Sequence, residues 1–595
     1  MKTTVLILIF LSFIVGSIHV FPHFLFQKEL GPSYRGIALL GSPDEENYLI
    51  PLKEVYEGNN SFGNAILFEH KTNSHGWIHN IPYPYILVGF FGKLFHISLT
   101  DMVILMDFLF PAVTFLLFFT LSFVLTTNTP VSMVSALVAV LAPHIFWGYS
   151  RLLEPYTHIS QPYYVAFLPF SRLFNPQVSI IPVLLFIIAF YKSLKLPKSL
   201  KWMTMAGVLL GSNFYFYFFW SYLYPFVAIV FVLLLFLKKR NLLIAVLATI
   251  VVSVITALPV VLSQFAFFFQ SHQLGENTFI TTYSHAPIFT TTELWTVVFF
   301  AFAVFILWKR KEEQLPIIFI ISLLLANLLV MNQQIITGIM VQPHHFTLYL
   351  NPMILAVAVG FLFWLFSKGV RGIKGVKGKR VVIGLLSLVG FLAISEGIAY
   401  QKMSYTLMTG PYKYMQNLRG VFDWLNKNSP PQSVVLGYIN DMPLDQIPIY
   451  TTNNLYVSLH ARHYADPTQD EFRHRLMNYA LVLGMNENDF SYAISDNGQF
   501  HYLFWGFRYF HPHGQGIYFT YDAKVFIPQR IGDEWVEKYK QKLQKDIYQE
   551  IKTYRLDYIL WGPKNNPQFQ INQALKPYLT MVYEDPVWVV YTLYR

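Results

Sequence analysis

The stretch Asp44-Glu45-Glu46-Asn47-Tyr48 places three adjacent carboxylates in the first polar segment after an apolar run at residues 5–24. A run of about 20 apolar residues is long enough to cross the hydrocarbon core of a bilayer. No clear small-x-small cleavage site follows the run, so we interpret it as a retained membrane helix rather than a signal peptide. The acidic cluster is therefore expected at a membrane surface, where carboxylates can take part in proton transfer.

The composition indicates an integral membrane protein. Of the 595 residues, 54% are hydrophobic and only 13% are charged, against about a quarter in ordinary soluble domains. The chain has no cysteine, which excludes disulfides, a thiol nucleophile and thiolate metal sites. The basic residues behind the net charge of +10 cluster in short loops between apolar runs. This pattern is typical of membrane orientation, so we expect a lipid bilayer and no nucleic acid as partner.

Eleven apolar segments are candidates for membrane-spanning helices. They are residues 5–24, 102–125, 131–149, 177–191, 202–218, 219–237, 242–261, 289–308, 314–331, 346–366 and 381–399. The predicted fold class is an α-helical polytopic membrane protein with about eleven transmembrane helices over residues 1–399. Ionisable residues are scarce within these segments, Asp107 being the main one. Because ion-coupled transport usually needs such groups at mid-membrane, a transporter is less favoured.

Loop charge orients the later segments. The loops at residues 192–201, 238–240, 309–311 and 368–380 are rich in Lys and Arg, whereas the alternate loops 151–176, 262–288 and 332–345 contain only Arg151 and Arg172. Basic loops face the cytoplasm. The second set of loops is therefore expected on the non-cytoplasmic side, with the N-terminus in the cytoplasm.

Residues 82–97 decide on which side of the membrane Asp44 lies, because a span here would make the first loop cytoplasmic. Loop charge leaves the choice open, since the first loop carries several basic residues. The segment is short, contains Lys93 and begins with Pro82 and Pro84. We therefore predict an interfacial helix within an external loop at residues 27–101.

The sequence changes character at about residue 400. Helices are predicted at residues 421–428 and 535–554, and strands at 433–438, 558–561, 581–583 and 587–593. Residues 400–595 are expected to form an α/β or α+β domain on the extracytoplasmic side, facing the same space as Asp44.

Each polar cluster on this face has a functional and a structural interpretation. The acidic cluster could supply a general base, or Ser42-Pro43-Asp44 could simply cap a short helix. Arg172 could clamp a phosphate with its planar fork, or hold lipid headgroups at the interface. Gln342-Pro343-His344-His345 could bond a pyrophosphate or a metal, or form a plain surface loop. The aromatic stretch at residues 214–224 is interpreted as a packing belt.

Together these residues resemble the GT-C class of polytopic glycosyltransferases, which take a sugar from a polyprenyl-phosphate carrier. That class includes mannosyltransferase-like and aminoarabinose-transferase-like enzymes. The resemblance rests on Asp44-Glu45 with Asn47-Tyr48, the run from Glu54 to Gly58, Ile81-Pro82-Tyr83-Pro84, Arg172, and Asn175-Pro176-Gln177. It covers about the first 400 residues as topology and supports the interfacial helix.

The resemblance implies roles for individual residues. An acid of the first external loop acts as base in that class, which makes Asp44 the first candidate with Glu45 beside it, and Glu46 the solvated neighbour. The donor-phosphate candidates are Arg172, His344, His345 and Gln342, and the substrate-binding candidates are Tyr48, Asn175, Gln177 and His79. The class's histidine-proline-proline element is present only loosely, as His79-Asn80-Ile81-Pro82. The Trp-Trp-Asp triplet of oligosaccharyltransferases is absent, which argues against that activity.

The leading prediction is an inverting glycosyltransferase of the plasma (inner) membrane. It would move a sugar from a polyprenyl-phosphate donor to a glycan, lipid or protein acceptor on the extracytoplasmic face. No cofactor is certain, and a divalent cation (Mg, Mn or Ca) stays open. Two alternatives also stay open: a non-catalytic membrane protein whose external domain binds carbohydrate or a partner, and a transporter or flippase.

Overall fold

Helices dominate the chain. The computed structural model describes residues 2–42, 44–59, 63–72, 83–147, 167–270, 281–283, 285, 287–309, 314–341, 345–369, 376–439, 442–464, 467–495, 499–505, 529–563 and 570–593. The helices up to residue 415 are α1 (Lys2–Leu30), α2 (Glu46–Glu57), α3 (Tyr83–Leu94), α4 (Leu99–Thr126), α5 (Thr129–Leu141), α6 (Ile180–Lys195), α7 (Leu200–Ser212), α8 (Trp220–Phe236), α9 (Arg240–Gln270), α10 (Thr291–Lys309), α11 (Gln314–Asn332), α12 (Gln334–Thr337), α13 (Asn351–Gly369) and α14 (Val376–Met415).

A helix lies at each of the eleven positions predicted to span the membrane. In the described part of the chain, seven helical stretches are long and apolar enough to cross a membrane, and these contain α1, α4, α9, α10, α11, α13 and α14. The other four, α5 to α8, have 13 to 17 residues. At 1.5 Å per residue they are about 20 to 25 Å long, less than the roughly 30 Å of a hydrocarbon core. The protein is a polytopic helical membrane protein, and the number of spans stays a prediction.

The C-terminal region combines helices with a five-stranded sheet. The helices are α15 (Arg419–Asn428), α16 (Ile447–Tyr450), α17 (Gln469–Val482), α18 (Glu487–Ser495), α19 (Gln499–Trp505), α20 (Gln529–Leu543) and α21 (Ile547–Ile551). The strands, after β1 (Thr281–Tyr283) and β2 (Ile339–Val341), are β3 (Val434–Leu436), β4 (Asn454–Leu455), β5 (Tyr558–Trp561), β6 (Leu579–Glu584) and β7 (Val589–Leu593).

The sheet has the order β4-β3-β5-β7-β6, with β3 parallel to β4 and β5, and β7 antiparallel to β5 and β6. β1 pairs with β2 in a separate antiparallel ladder. The strands β3, β5, β6 and β7 lie where the sequence predicted strands, whereas the two-residue β4 was not predicted. The predicted helix at 535–554 is interrupted, because Asp546 accepts a hydrogen bond from the Gln549 amide (2.9 Å) and starts α21 as a new helix.

The first loop and the C-terminal region share one hydrophobic core. Leu39, Ile50 and Ile66 are buried in the same cluster as Leu436 and Ile559. The backbone amide of Leu455 on β4 donates to the carbonyl of Ile66 (2.9 Å). Helix α14 passes through residue 400 without a break. We call the described residues between 31 and 97, between 167 and 179, and from 401 to 593 the polar layer.

Helix α3 lies where an interfacial helix was predicted. Its 12 residues give a length of about 18 Å, too short to cross a bilayer. One face packs on α2, and the other exposes Leu87, Phe90 and Leu94. Such a face fits an interfacial position, which stays a prediction.

Candidate active site

Asp44 and Arg172 form an ion pair where the first loop meets the segment that begins at residue 167. The Nη2 atom of Arg172 contacts Oδ2 of Asp44, and its Nε lies 3.3 Å from Oδ1. The hydroxyl of Ser42 donates to the same carboxylate. The Arg172 side chain is only 4% exposed, whereas that of Asp44 is 43% exposed. The pair therefore consists of a buried guanidinium and an accessible carboxylate, so the two predicted residues do lie together.

Glu45 links the first loop to the segment that begins at residue 167, through hydrogen bonds to both. Its Oε2 accepts the amide of Gly41 (3.0 Å), and its Oε1 accepts the amide of Leu173 (3.2 Å). A Cβ at Gly41 would lie 1.9 Å from the carbonyl oxygen of Ser171, so the close approach requires glycine. Glu45 is fully buried, and its hydrogen bonds with backbone amides place Arg172 beside Asp44.

Glu46 is buried, and its prediction as a solvated neighbour was wrong. Glu46 is only 1% exposed, and its Oε1 accepts a hydrogen bond from the side-chain amide of Gln446 (2.8 Å). The reason is that α2 packs on α16 of the C-terminal region, which covers the surface that Glu46 would otherwise present to water.

The three acids differ in their pKa. Partial removal from water opposes ionisation of Asp44, but the charge of Arg172 and hydrogen bonds from Arg172 and Ser42 outweigh it and hold the pKa of Asp44 well below its ordinary value. Burial raises the pKa of Glu45 and Glu46 well above the ordinary value, reinforced by the negative charges of nearby acids. Asp44 is therefore the acid of the cluster that ionises most readily.

Aromatic rings surround the guanidinium. The Cζ atom of Arg172 lies 5.0 Å from the ring centroid of Tyr48 and 5.7 Å from that of Tyr349. Behind them, the ring centroids of Tyr85 and Phe174 are 4.5 Å apart. Burial raises the pKa of Tyr48 above its ordinary value, so this phenol stays neutral. The rings exclude water from the cation and restrict its rotation.

Asn175 connects Arg172 to His345. Nη1 of Arg172 contacts the carbonyl oxygen of Asn175, and Nδ2 of Asn175 lies 2.7 Å from Nδ1 of His345. The Ser179 hydroxyl donates to Oδ1 of Asn175 (3.0 Å), so the amide nitrogen is the group that donates to the imidazole. Tyr217 also contacts Nδ1, at 2.6 Å. The two polar neighbours at Nδ1 hold the imidazole in place.

The remaining predicted residues are placed differently. Gln177 donates to Oδ1 of Asp107 (2.6 Å) and to the carbonyl oxygen of Phe170 (2.9 Å). Asp107 also pairs with His23 of α1 (2.7 Å). Gln177 is thus directed toward the membrane helices rather than toward Arg172. The residues His79, Gln342 and His344 lie outside the described residues.

Sequence reasoning missed several members of the site. Tyr217 lies in the aromatic stretch that was interpreted as a packing belt, and Tyr349 lies in an apolar span. Ser42 stood next to the acidic cluster, and its spacing from Asp44 was a usable signal.

A divalent cation does not fit the described residues around Asp44. No group of three or more His, Asp or Glu side chains that could hold a metal occurs in the part of the chain that the structure describes. The carboxylate of Asp44 faces Arg172, whose positive charge opposes a cation at the same oxygen atoms. The described residues therefore contain no site for the divalent cation that the sequence analysis left open.

Comparisons with known proteins bear on the fold. No protein-family model and no curated protein sequence matches the chain. The crystal structure of the Archaeoglobus fulgidus oligosaccharyltransferase in the apo form aligns with 100% of this chain and 74% of its own, with a TM-score of 0.51 and 9% identity. The crystal structure of ArnT from Cupriavidus metallidurans bound to undecaprenyl phosphate aligns with 99% of this chain and 97% of its own, with a TM-score of 0.47 and 12% identity.

At 9% identity the likeness to the oligosaccharyltransferase concerns the fold and leaves the activity open. It includes the membrane helices, the first loop and the C-terminal region, because the alignment extends over the whole chain. The resemblance drawn from the first loop is confirmed at this level: the chain has the fold of the GT-C class of membrane glycosyltransferases.

Proposed function

We propose that the protein is a membrane glycosyltransferase that moves a sugar from a polyprenyl-phosphate carrier to an acceptor hydroxyl with inversion. The observation that carries this proposal is the accessible Asp44 carboxylate on the buried Arg172 guanidinium. The fold supports it, because a solved protein of similar fold is an oligosaccharyltransferase. A lipid-borne donor needs a reaction centre near the membrane surface, and this pair lies where the polar layer meets the membrane helices.

Arg172 and His345 are suited to hold the carrier phosphate. The departing phosphate gains negative charge as the bond to the sugar breaks, and charged donors in a water-poor site stabilise that charge. Arg172 supplies a buried guanidinium, and His345, whose ring Asn175 holds in place, supplies an imidazole. Both groups are oriented by protein contacts before the substrate binds.

Asp44 is suited to accept the proton of the acceptor. The acceptor oxygen attacks the anomeric carbon, the bond from that carbon to the phosphate oxygen breaks, and its electron pair goes to the phosphate. The hydroxyl proton goes to Asp44. A weakly basic carboxylate is sufficient, because the hydroxyl becomes acidic as its bond to carbon forms. Arg172 contacts both Asp44 and the carbonyl oxygen of Asn175, and the side chain of Asn175 contacts His345, so the proposed base and the phosphate-side residues belong to one connected set.

The charge pattern of the loops supports a location on the non-cytoplasmic face. The loops rich in Lys and Arg, at residues 192–201 and 368–380 among others, mark the cytoplasmic side. The polar layer would then face the extracytoplasmic space of the plasma membrane, where a glycan, lipid or protein could supply the acceptor hydroxyl.

The test is sugar transfer by the full chain in membranes. Undecaprenyl-phosphate hexoses labelled in the sugar serve as donor probes, and release of labelled sugar from the carrier is measured. We expect Asp44→Asn to lower the rate about 10²- to 10⁴-fold, because the amide cannot accept the proton. Asp423→Asn, in an exposed pair with Arg419, is the control and keeps the wild-type rate.

Two results would contradict the proposal. A wild-type chain that releases sugar from none of a panel of polyprenyl-phosphate donors would reject the reaction. An Asp44→Asn variant that retains wild-type turnover would reject the base.

A further inference from the structure

An apolar cavity of about 370 Å³ lies among the membrane helices α5, α10, α13 and α14. Its described lining residues come from these four helices and from the turn Pro143–Phe146 that follows α5. None of them is charged, and Ser135 carries the one hydroxyl among them. The volume is within the usual range of ligand sites, about 300 to 1,000 Å³. A cavity of this size and lining suits a hydrocarbon chain and offers no partner to a charged group.

The cavity is closed at its back and open at its front. At the back, a Cβ at Gly360 of α13 would lie 1.9 Å from Oγ of Ser135 on α5, so these two helices are in direct contact. At the front, Trp295 of α10 is 38% exposed, and Leu385 and Val389 of α14 are 52% and 42% exposed. Helices α10 and α14 are both long and apolar enough to cross a membrane. The opening between them is therefore part of the surface that bilayer hydrocarbon covers.

The cavity runs along the helices. Lining residues recur over positions 131–138 of α5 and 356–363 of α13, and each of these stretches rises about 10 Å along its helix. At the end nearest the polar layer, the wall is formed by Phe146 and by Trp295, which lies close to the start of α10. Tryptophan is enriched at the level of lipid headgroups. The cavity thus extends from the headgroup level into the membrane, which is the direction of a lipid acyl chain.

The cavity is separate from the candidate active site. The turn Pro143–Phe146, which forms part of its wall, packs on the turn Phe346–Leu350. That second turn carries Tyr349, the residue beside Arg172. Neither Tyr349 nor Arg172 is among the described residues that line the cavity. A carrier whose phosphate contacts Arg172 would therefore start its tail outside the cavity, so the occupant is a different lipid.

We propose that this cavity, the acyl groove, binds one acyl chain of a bilayer phospholipid from the leaflet on the side of the polar layer. Within a bilayer, a chain gains little from moving between apolar surroundings, so close packing decides whether it is held. The valine and aromatic walls surround the chain on three sides and supply many dispersion contacts, which lining atoms would lose beside an empty space. The bound chain also supports the turn Pro143–Phe146 and, through it, the segment that carries Tyr349.

The experiment uses the full chain in vesicles of phosphatidylethanolamine and phosphatidylglycerol. The probe is phosphatidylglycerol with a photoactivatable diazirine in one acyl chain, and labelled peptides are identified by mass spectrometry after irradiation. We expect labelling to concentrate on residues 131–146 and 385–389. Val359→Trp places an indole inside the groove and should lower this labelling severalfold. Val254→Trp, at an exposed position of α9, is the matched control and should keep the wild-type labelling.

A second variant covers the case in which Val359→Trp does not fold. Val389→Trp obstructs the mouth of the groove from an exposed position and should lower the labelling in the same way. Equal labelling in the groove variants and in Val254→Trp would overturn the inference, because the probe would then report only general lipid contact. Labelling of the groove by a photoactivatable polyprenyl phosphate but not by the phospholipid would also overturn it. The readout involves no sugar transfer, so it is independent of the proposed function.

Discussion

The membrane helices and the polar layer use charged side chains in different ways. Among the described membrane helices, two buried carboxylates pair with histidines, Asp107 with His23 (2.7 Å) and Glu396 with His144 (2.9 Å), and buried Glu293 accepts the backbone amide of Thr290 (2.9 Å). In the polar layer, by contrast, a buried lysine or arginine supplies the cation, as when Lys71 contacts Glu54 (2.7 Å) and the side chain of Asn454 (3.2 Å). An unpaired charge is costly in a bilayer, so charges there are few and locally neutralised. Outside the bilayer, charged pairs are less costly and can hold separate segments of the chain in contact.

The comparison also explains the position of the candidate site. Arg172 is buried, yet it lies in the polar layer, where aromatic rings and Asp44 neutralise and shield it. A reaction centre needs both a water-poor surrounding and charged groups, and the boundary between the two regions offers both.

The largest effect on stability is expected at Arg475. Its side chain is fully buried, its Nη2 lies 2.8 Å from Glu69 and 2.8 Å from Glu471, and its Cζ lies 3.9 Å from the ring centroid of Tyr554. Arg475→Leu leaves the two carboxylates without their shared cation, so we expect a loss of about 3–5 kcal/mol. Thermal unfolding in detergent measures it.

Arg419→Leu is the control for this prediction. Arg419 forms an exposed pair with Asp423, and such pairs contribute at most about 1 kcal/mol. Equal losses of stability in Arg475→Leu and Arg419→Leu would show that the buried ion pairs of Arg475 do not stabilise the polar layer more than an exposed pair does. The difference drawn between the polar layer and the membrane helices would then be wrong.

A smaller effect is expected at the pair inside the membrane region. Glu396→Leu leaves Nε2 of buried His144 without the oxygen that it contacts, at a cost of about 1–3 kcal/mol. Glu396→Gln keeps a carbonyl oxygen at this position, so most of the stability should remain. Unfolding of the two variants in the same detergent checks the difference, and equal losses would show that the contact with His144 contributes nothing.

The smallest effect is a pH dependence at Glu46. Burial and the charge of Asp445 raise the pKa of Glu46 in the folded chain, above the roughly 4.3 of an unfolded chain. Between these values the unfolded state releases a proton that the folded state keeps, so stability falls as pH rises. Glu46→Gln removes this titrating group, so the fall in stability with rising pH should become smaller.

Unfolding temperatures at pH 5 and pH 8 measure this dependence. Glu57→Gln, at the exposed end of the same helix, is the control and should leave the dependence unchanged. A wild-type chain whose stability does not fall between these pH values would contradict the assignment to Glu46.

Hydropathy and loop charge predicted much of this architecture. Apolar runs mark helices because the bilayer requires each spanning segment to satisfy its own backbone, and a helix lies at every predicted position. The basic loops placed Arg172 on the non-cytoplasmic face, the interfacial helix predicted at 82–97 placed Asp44 on the same face, and the structure brings the two into contact. Helix ends were less predictable. The run at 131–149 predicted a longer helix than α5, which ends at Leu141 because Pro143 disfavours helical backbone before it.

The polar partners of the site were less accessible to sequence reasoning. Glu46 and Gln446 are 400 positions apart, and nothing in the spacing of either residue indicates the other. Local patterns report periodicity and loop charge, whereas such contacts depend on tertiary packing.

Helix α14 has a mechanical consequence. Its 40 residues form a rod about 60 Å long, roughly twice the thickness of a hydrocarbon core. Gln401 on this rod donates to the hydroxyl of Ser171 (3.1 Å) and accepts the amide of Leu168 (2.9 Å), next to Arg172. These contacts fix the position of the Arg172 segment along the axis of α14. On the proposed function, α14 would therefore set the depth at which the guanidinium meets a carrier phosphate, independently of the length of the carrier's tail.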